Sequence, residues 1–316
     1  MLLTFFATRS DGTAAAVFRI GMGMLAVWQA LGVWWNLDRF YGDDGVVPWA
    51  VVKNDGWVKL SLFSLGPESH GILMFHAIAF MVGSVALLIG LYPRVASLLV
   101  AYVHVSLQYR DPFILNSGDR LFMIIIALGM AMPLARRASV HSLVRKLRGK
   151  APPPLATVWG QRLIGLQLSY VYLNTVIAKL ANESWRNGTA MRDILASPVF
   201  AEWPRYIDSK PLVMAMTWGT LAFELSFPFL VWFKKTRPWM LLAGTMFHLM
   251  IDGLMVIPIF SYIMILSYPA FLSDDDVKWV LRKLGLAKRP LVAATGESDS
   301  SDATERSEPH VPNPSS

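Results

Sequence analysis

A series of long apolar segments constrains this chain more than any other feature. Eight segments are candidates for membrane spans: residues 14–35, 70–89, 95–109, 121–134, 158–180, 211–233, 239–256 and 258–272. A helix needs about 20 residues to cross the hydrocarbon layer, so the three shortest segments would need flanking residues or shielding by neighbouring helices. The pattern predicts an all-α fold, a polytopic integral membrane helical bundle of about eight transmembrane helices.

The composition agrees with a lipid environment and excludes several kinds of site. Hydrophobic residues make up 54% of the chain and charged residues 16%, whereas soluble domains carry about 25% charged residues. The chain contains no cysteine, which excludes disulfides, thiolate metal sites and cysteine nucleophiles. The net charge of +7 is concentrated at the ends of apolar segments, which indicates membrane orientation and not nucleic-acid binding.

The basic residues also indicate an orientation. If the N-terminus is cytoplasmic, sixteen Lys and Arg residues lie on the cytoplasmic side, mostly in clusters at 136–150, 234–237 and 278–289, and nine lie on the opposite side. The positive-inside rule then favours both termini in the cytoplasm and an even number of spans. The first apolar segment is too long for a signal-peptide core, so we expect it to be a retained anchor.

The chain divides into three predicted regions. Residues 1–275 would form one transmembrane domain, and residues 276–294 a basic amphipathic cytoplasmic segment. Residues 139–150 have the same amphipathic character, which is typical of basic helices held near anionic headgroups. Residues 295–316, rich in Ser, Asp, Glu and Pro, have little to bury, and we predict a disordered tail.

Ten strongly polar residues interrupt the apolar segments. A charge at the centre of a bilayer costs at least about 2.5–3.5 kcal/mol on insertion scales, so such residues usually face the bundle interior and pair there. Any one of them is explained by a structural ion pair or an interhelical hydrogen bond, but ten together predict an internal polar cavity. They are Arg19, Gln29, His76, His104, Arg162, Gln167, Lys179, Glu224, His248 and Asp252.

Two of these positions are candidates for chemistry. His248 and Asp252 are four residues apart on one helical face, which fits a carboxylate-oriented histidine, two metal ligands or a local hydrogen-bonded pair. No HExxH or similar spacing completes a metal site, so none is predicted. Lys179 lies at the outer end of its segment, where it could extend to the headgroups or act as a desolvated base.

Three loops rich in Gly, Asn, Asp and Pro fall on the same predicted side as Lys179. They are residues 40–48, 110–120 and 183–191. Each composition is ordinary for turns. Their shared side nevertheless predicts one extracytoplasmic site that includes Lys179.

Four tracts carry a resemblance to a known family. They are YGDDGVVP at 41–48, RDPFILNSGDRLFMIIIALGMAMPL at 110–134, YLNTVIAKL followed by SWRNGTAM within 172–191, and FHLMIDGLMVIPIFSYIMILSYPAFL at 247–272. In this order, over roughly residues 10–275, the chain resembles the HTTM (horizontally transferred transmembrane) family. That family comprises bacterial relatives of the vitamin K-dependent γ-carboxylase membrane domain, so the resemblance implies a location in the bacterial inner membrane.

The resemblance implies a site and a cofactor. Lys179, in its Lys-Leu context before Trp185, matches the lysine that deprotonates the hydroquinone in the carboxylase. Asn116 matches an asparagine beside the quinone, while Ser117 stands where the family has a histidine. Asp111, Asp119 and His248 complete the predicted ligand-binding set. The implied cofactor is reduced vitamin K or another quinone, entering from the lipid.

Two functions remain open from the sequence. One is a quinone-dependent carboxylase or oxygenase, a lyase of the vitamin K-dependent kind, acting on the extracytoplasmic side. The alternative is a non-catalytic membrane module that binds a lipid or assists a partner protein. A transporter ranks lowest because no internal repeat is visible. The expected partners are membrane lipids and a quinone; the sequence identifies no protein partner and no acceptor substrate.

Overall fold

A computed structural model describes residues 2–52, 61, 63, 69–200 and 206–286. Helices dominate these residues, and the only strands in them form one two-residue antiparallel pair. The predicted tail at 295–316 lies outside the described residues, as does 287–294 of the predicted basic segment. The elements in chain order are α1 (Leu2–Ala7), β1 (Arg9–Ser10), α2 (Thr13–Trp35), α3 (Leu37–Tyr41), α4 (Trp49–Val52), α5 (His70–Ile89), α6 (Pro93–Arg110), α7 (Ser117–Gly129), α8 (Val140–Leu147), β2 (Ala156–Thr157), α9 (Trp159–Leu180), α10 (Glu183–Arg186), α11 (Ala190–Ala196), α12 (Lys210–Leu230), α13 (Arg237–Leu254), α14 (Phe260–Leu266), a 3₁₀ helix (Tyr268–Phe271) and α15 (Asp274–Lys283).

Four helices in the described residues, α2, α5, α9 and α12, are long and apolar enough to cross a membrane. The other four predicted segments also contain helices, namely α6, α7, α13 and α14. These helices are shorter or more polar than the first four. The last segment is not continuous, because α14 ends at Leu266 and a 3₁₀ helix containing Pro269 follows. Proline lacks the backbone N–H that would continue an α-helix.

Helix α7 begins at Ser117, four residues before the predicted start of its segment, because Asn116 caps it. The Asn116 side chain accepts hydrogen bonds from the backbone N–H groups of Gly118 (2.7 Å) and Asp119 (3.3 Å). The Asp119 carboxylate accepts in return from the Asn116 backbone N–H at 3.0 Å. This reciprocal capping box satisfies amide groups that would otherwise lack partners at the helix start.

Several helix ends meet at one end of the bundle. β1 pairs with β2, with Arg9 opposite Thr157, so the starts of α2 and α9 lie side by side. Asp274 accepts hydrogen bonds from the backbone N–H groups of Asp11 (2.7 Å) and Ala14 (2.9 Å), which brings the start of α15 to the same place. We call this the basic end, because it carries the basic clusters at 136–150 and 278–283.

Arg19 ties the end of α5 to the segment before α8. Its fully buried guanidinium donates hydrogen bonds to the carbonyl oxygens of Leu87 (2.9 Å), Leu88 and Ala138. Gly90 makes this approach possible, since its φ is +72° and an added Cβ would lie 2.5 Å from the Ser139 Cβ. Arg19 is therefore a structural residue held by hydrogen bonds between segments, one of the explanations for a charge in an apolar segment.

Arg110 has the corresponding role at the opposite end. Its buried guanidinium donates to the carbonyl oxygens of Gly42 (2.7 Å) and Val47 (2.9 Å) and lies 5.7 Å from the centre of the Trp49 ring. These contacts hold the loop that follows α3 against the end of α6. Two of the loops predicted to share a side, 40–48 and 110–120, therefore do meet.

Candidate ligand cavity

A cavity of about 470 Å³ opens among α7, α9, α12, α13 and α14, with α10 and α11 contributing to its wall. Most of its lining is apolar, including Leu121, Val171, Ile251, Phe260 and Met264. A few polar groups converge at it, among them Lys179, Glu224 and His248. An apolar pocket with a small number of placed polar groups is the usual form of a small-molecule site.

An ion pair forms the most polar feature of the cavity. Lys179, in the last turn of α9, places its Nζ 2.5 Å from Oε1 of Glu224 on α12. The side chains are 19% and 6% exposed. The Lys179 ammonium also lies 4.7 Å from the centre of the buried Trp185 ring on α10, a cation–π contact. Lys179 therefore points into the bundle and not outward to the headgroups.

The second carboxylate oxygen of Glu224 is left without a partner. Oε2 is buried and makes no hydrogen bond within the described residues. Leaving a buried charged acceptor unsatisfied costs more than the 1–3 kcal/mol typical of neutral groups. Because Glu224 lines the cavity, a ligand hydroxyl could supply the missing hydrogen bond.

His248 belongs to a chain of side-chain hydrogen bonds at the same cavity. Its Nε2 shares a hydrogen bond with the Tyr172 hydroxyl at 2.8 Å, and Tyr172 shares another with the Tyr268 hydroxyl at 3.2 Å. Gly244 leaves room for this chain, since a Cβ there would lie 2.3 Å from the Tyr268 oxygen. The buried Nδ1 of His248 has no hydrogen-bond partner in the described part of the chain.

The local pairing considered for His248 and Asp252 is not formed. Asp252 is exposed and accepts a hydrogen bond from the Tyr262 hydroxyl at 2.7 Å. The histidine instead turns inward to Tyr172. The four-residue spacing placed both residues on α13, but the position of α9 beside that helix decides which partner His248 takes.

Three predicted site residues lie between the end of α6 and the first turn of α7, outside the cavity lining. The Asn116 amide donates to Asp119 Oδ2 at 2.7 Å, so the cap uses both ends of that side chain. Asp119 Oδ1 lies 3.7 Å from His104 Nε2. Asp111 is buried and accepts from the Phe113 backbone N–H at 3.1 Å. Of residues 110–120, Ser117 and Arg120 reach the cavity.

The predicted set therefore separates into two groups. Lys179, Trp185 and His248 line the cavity, whereas Asn116, Asp111 and Asp119 organise the loop before α7. Sequence reasoning counted Glu224 among the buried polar residues but did not place it at the site, and it did not single out Tyr172 or Tyr268. The signal for Glu224 was available, because a lysine within an apolar bundle needs a carboxylate partner.

Comparison with known proteins gives the family. The model of the HTTM domain family matches residues 8–276. The uncharacterized protein YitO of Bacillus subtilis is 26% identical over 192 residues, which cover 58% of this chain and 62% of YitO. The sporulation-delaying protein SdpB of the same organism is 23% identical over 145 residues, covering 43% of this chain and 44% of SdpB.

These matches span less than two thirds of the length of either relative. No solved structure matches the chain. The family model nevertheless covers most of the sequence, and residues 8–276 include all four tracts that carry the resemblance. The chain therefore belongs to the HTTM domain family.

Proposed function

We propose that this protein is an inner-membrane enzyme that binds a reduced quinone in the cavity and uses Lys179 as a base. The observation that carries the proposal is the buried Lys179–Glu224 ion pair, which lies at an otherwise apolar cavity beside Trp185. The carboxylase or oxygenase chemistry implied by the family resemblance would begin with proton removal at this pair.

The lining fits a quinol of the vitamin K type or a related ring. Its volume of about 470 Å³ lies within the range of small-molecule sites, about 300–1,000 Å³. The apolar walls suit a ring and its hydrocarbon tail, which would enter from the lipid. Glu224 Oε2 and His248 Nδ1, both buried and unpartnered in the described residues, offer hydrogen-bonding positions for ring hydroxyls.

The ion pair can also hold and move a proton. A bound quinol would supply the reducing electrons and an acidic hydroxyl. In the proposed step, Lys179 would give one proton to Glu224 Oε1, which lies 2.5 Å from its Nζ. As a neutral amine, Lys179 would then accept the proton of a ring hydroxyl, which leaves a Lys179 ammonium beside the anion of that hydroxyl.

We further propose eight membrane spans with both termini in the cytoplasm. The contacts of Arg19 and Asp274 bring the start of α2, the end of α5 and the start of α15 to the basic end. Those of Arg110 bring the end of α6 to the loop that follows α3. Helices α2, α5 and α6 thus alternate in direction, which supports the proposal, and positive charge favours the cytoplasmic side.

The test is to identify what the purified protein carries. Protein extracted in mild detergent from quinone-containing membranes would be analysed by mass spectrometry for quinones and phospholipids per mole of protein. Ile251→Trp should fill the cavity and remove the quinone. Leu249→Trp is the matched control, because Leu249 lies on the same helix, is 50% exposed and does not line the cavity. Equal quinone content in the two variants would contradict the proposal.

The alternative function is a non-catalytic module that holds a membrane lipid or assists a partner protein. The Lys179–Glu224 ion pair also supports this function, because a pair that only holds two helices together takes part in no reaction. The same measurement separates the two functions. A phospholipid lost from Ile251→Trp, with no quinone in the unmodified protein, would support the lipid-binding module.

A further inference from the structure

The basic end carries a groove beside α8 that none of the chemistry above uses. It encloses about 960 Å³ between α8 and the segment that leads to β2. We call it the α8 groove. Six basic residues line it: Arg136, Arg137, Arg145, Lys146, Arg148 and Lys150.

Some of these charges are engaged within the protein. Arg137 pairs with Asp11 at 2.9 Å, and Lys278 approaches the same Asp11 oxygen at 2.8 Å, so the acidic residue in the groove is neutralised. The Arg136 guanidinium donates to the carbonyl oxygen of Pro153 at 2.9 Å, and Arg145 Nε donates to that of Ala151 at 2.5 Å. These bonds shape the wall of the groove.

The remaining charges have no counter-ion in the described part of the chain. Lys146, Arg148 and Lys150 are exposed, and no carboxylate lies within ion-pair distance of them there. They follow one another within five residues at the end of α8. A cluster of this kind next to a membrane attracts anionic headgroups.

Helix α8 also presents apolar side chains that nothing in the described residues covers. Leu143 and Leu147 are 55% and 77% exposed, and their four-residue spacing places them on one face. A short helix with exposed leucines and adjacent bases is suited to lie in the interface, with its apolar face among acyl chains.

The groove is held in place and does not depend on a mobile loop. A capping box between Ser139 and Ser142 starts α8. The segment before α8 is fixed by the Arg19 bond to Ala138 and by the close approach of Gly90 to Ser139. The bases are therefore presented from a fixed support.

We infer that the α8 groove binds the headgroup of an anionic phospholipid. Lys146, Arg148 and Lys150 would contact the phosphate, while Leu143 and Leu147 enter the acyl-chain region. The occupant is a lipid and not a free anion, because the uncovered leucines and the uncompensated charges lie together in one short segment, residues 143–150. This inference does not depend on the function proposed for the cavity.

The experiment uses the full chain in mild detergent and measures binding of phosphatidylglycerol by native mass spectrometry, with phosphatidylcholine as the neutral comparison. Lys146→Gln/Lys150→Gln should weaken phosphatidylglycerol binding by about 25-fold, or about fivefold for each lysine. The matched control is Lys234→Gln/Lys235→Gln, which removes two exposed lysines from another loop. The control should bind like the unmodified protein.

A second variant and a competitor complete the test. Leu143→Ser/Leu147→Ser should also weaken phosphatidylglycerol binding, although it keeps every charge. Thermal unfolding in lipid-free detergent checks that the variants fold. Equal affinity for the two lipids, an unaffected lysine variant, or full competition by inorganic phosphate or polyglutamate would each overturn the lipid assignment.

Discussion

Lys179 on α9 and Glu224 on α12 form an ion pair with 2.5 Å between Nζ and Oε1, at the wall of a largely apolar cavity. The pair joins two of the helices that are long enough to cross the membrane. Its position makes the same two side chains candidates for ligand chemistry and for holding the bundle together. Substitutions can separate these two contributions.

The contribution of the Lys179–Glu224 pair to stability can be measured by removing one of the two partners. Lys179→Met should lower the free energy of unfolding by about 3–5 kcal/mol, because it leaves a buried carboxylate without its counter-ion. Lys179→Met/Glu224→Met should recover most of that loss. Chemical denaturation in detergent measures both. Arg192→Ala, which breaks an exposed pair with Asp193, should have little effect. Additive losses in the double variant would show that the pair is not coupled.

Whether Lys179 acts as a base is tested by a substitution that keeps the positive charge but cannot release its proton. Lys179→Arg retains a cation beside Glu224, but a guanidinium stays protonated in proteins. We expect near-normal thermal stability and a loss of quinol turnover of about 100-fold or more, the usual contribution of a positioned base. Aerobic consumption of added vitamin K hydroquinone is the measurement. Undiminished turnover in Lys179→Arg would remove Lys179 from the chemistry.

Arg19 should be essential for stability although it lies far from the cavity. Arg19→Met leaves the carbonyl oxygens of Leu88 and Ala138 without their donor, whereas that of Leu87 keeps the bond from the Gly90 backbone N–H. The expected loss is about 3 kcal/mol or more, since each buried unsatisfied group costs about 1–3 kcal/mol. Arg94→Met is the control, because Arg94 is exposed. If thermal denaturation showed comparable losses of stability in the two variants, the structural role of Arg19 would be wrong.

The Asp11 contacts predict a pH dependence. Burial alone would raise the pKa of Asp11, but hydrogen bonds from Lys278 and Thr13 and the charge of Arg137 outweigh it and hold the pKa well below the ordinary 3.8. A carboxyl with a lowered pKa stabilises the fold above its unfolded value and loses this contribution as the pH falls. The melting temperature of Asp11→Asn should therefore be lower than that of the unmodified protein at pH 7, and the difference should shrink below about pH 4. A constant difference would contradict this account.

The proposed orientation predicts the location of two loops. A reporter inserted at Gly149, where a Cβ would meet nothing within 4 Å, should be cytoplasmic. A reporter at Asp44, in the loop held by Arg110, should be extracytoplasmic. A fusion after Ser316 should read as cytoplasmic, like Gly149. Reversal of any one of these readings would require a different number or direction of spans.

Sequence patterns identified the fold class and part of the cavity lining. Continuous apolar segments located the long helices, because a helix that crosses lipid must be apolar along its length. The family tracts pointed to Lys179 and Trp185, which do lie together at the cavity. Asn116 and Asp119 were visible as a polar cluster, but the same residues that could hold a ligand also form a helix cap. Local composition does not distinguish the two.

The sequence by itself determined that this chain is a helical membrane protein of the HTTM family, because hydropathy, charge placement and family tracts are properties of local segments. Only the tertiary structure decided which polar side chains contact each other. Lys179 meets Glu224 across 45 positions, and His248 meets Tyr172 across 76. These pairings depend on which faces of α9, α12 and α13 pack together, and helix packing depends on side-chain shape along whole surfaces, which a linear pattern does not encode.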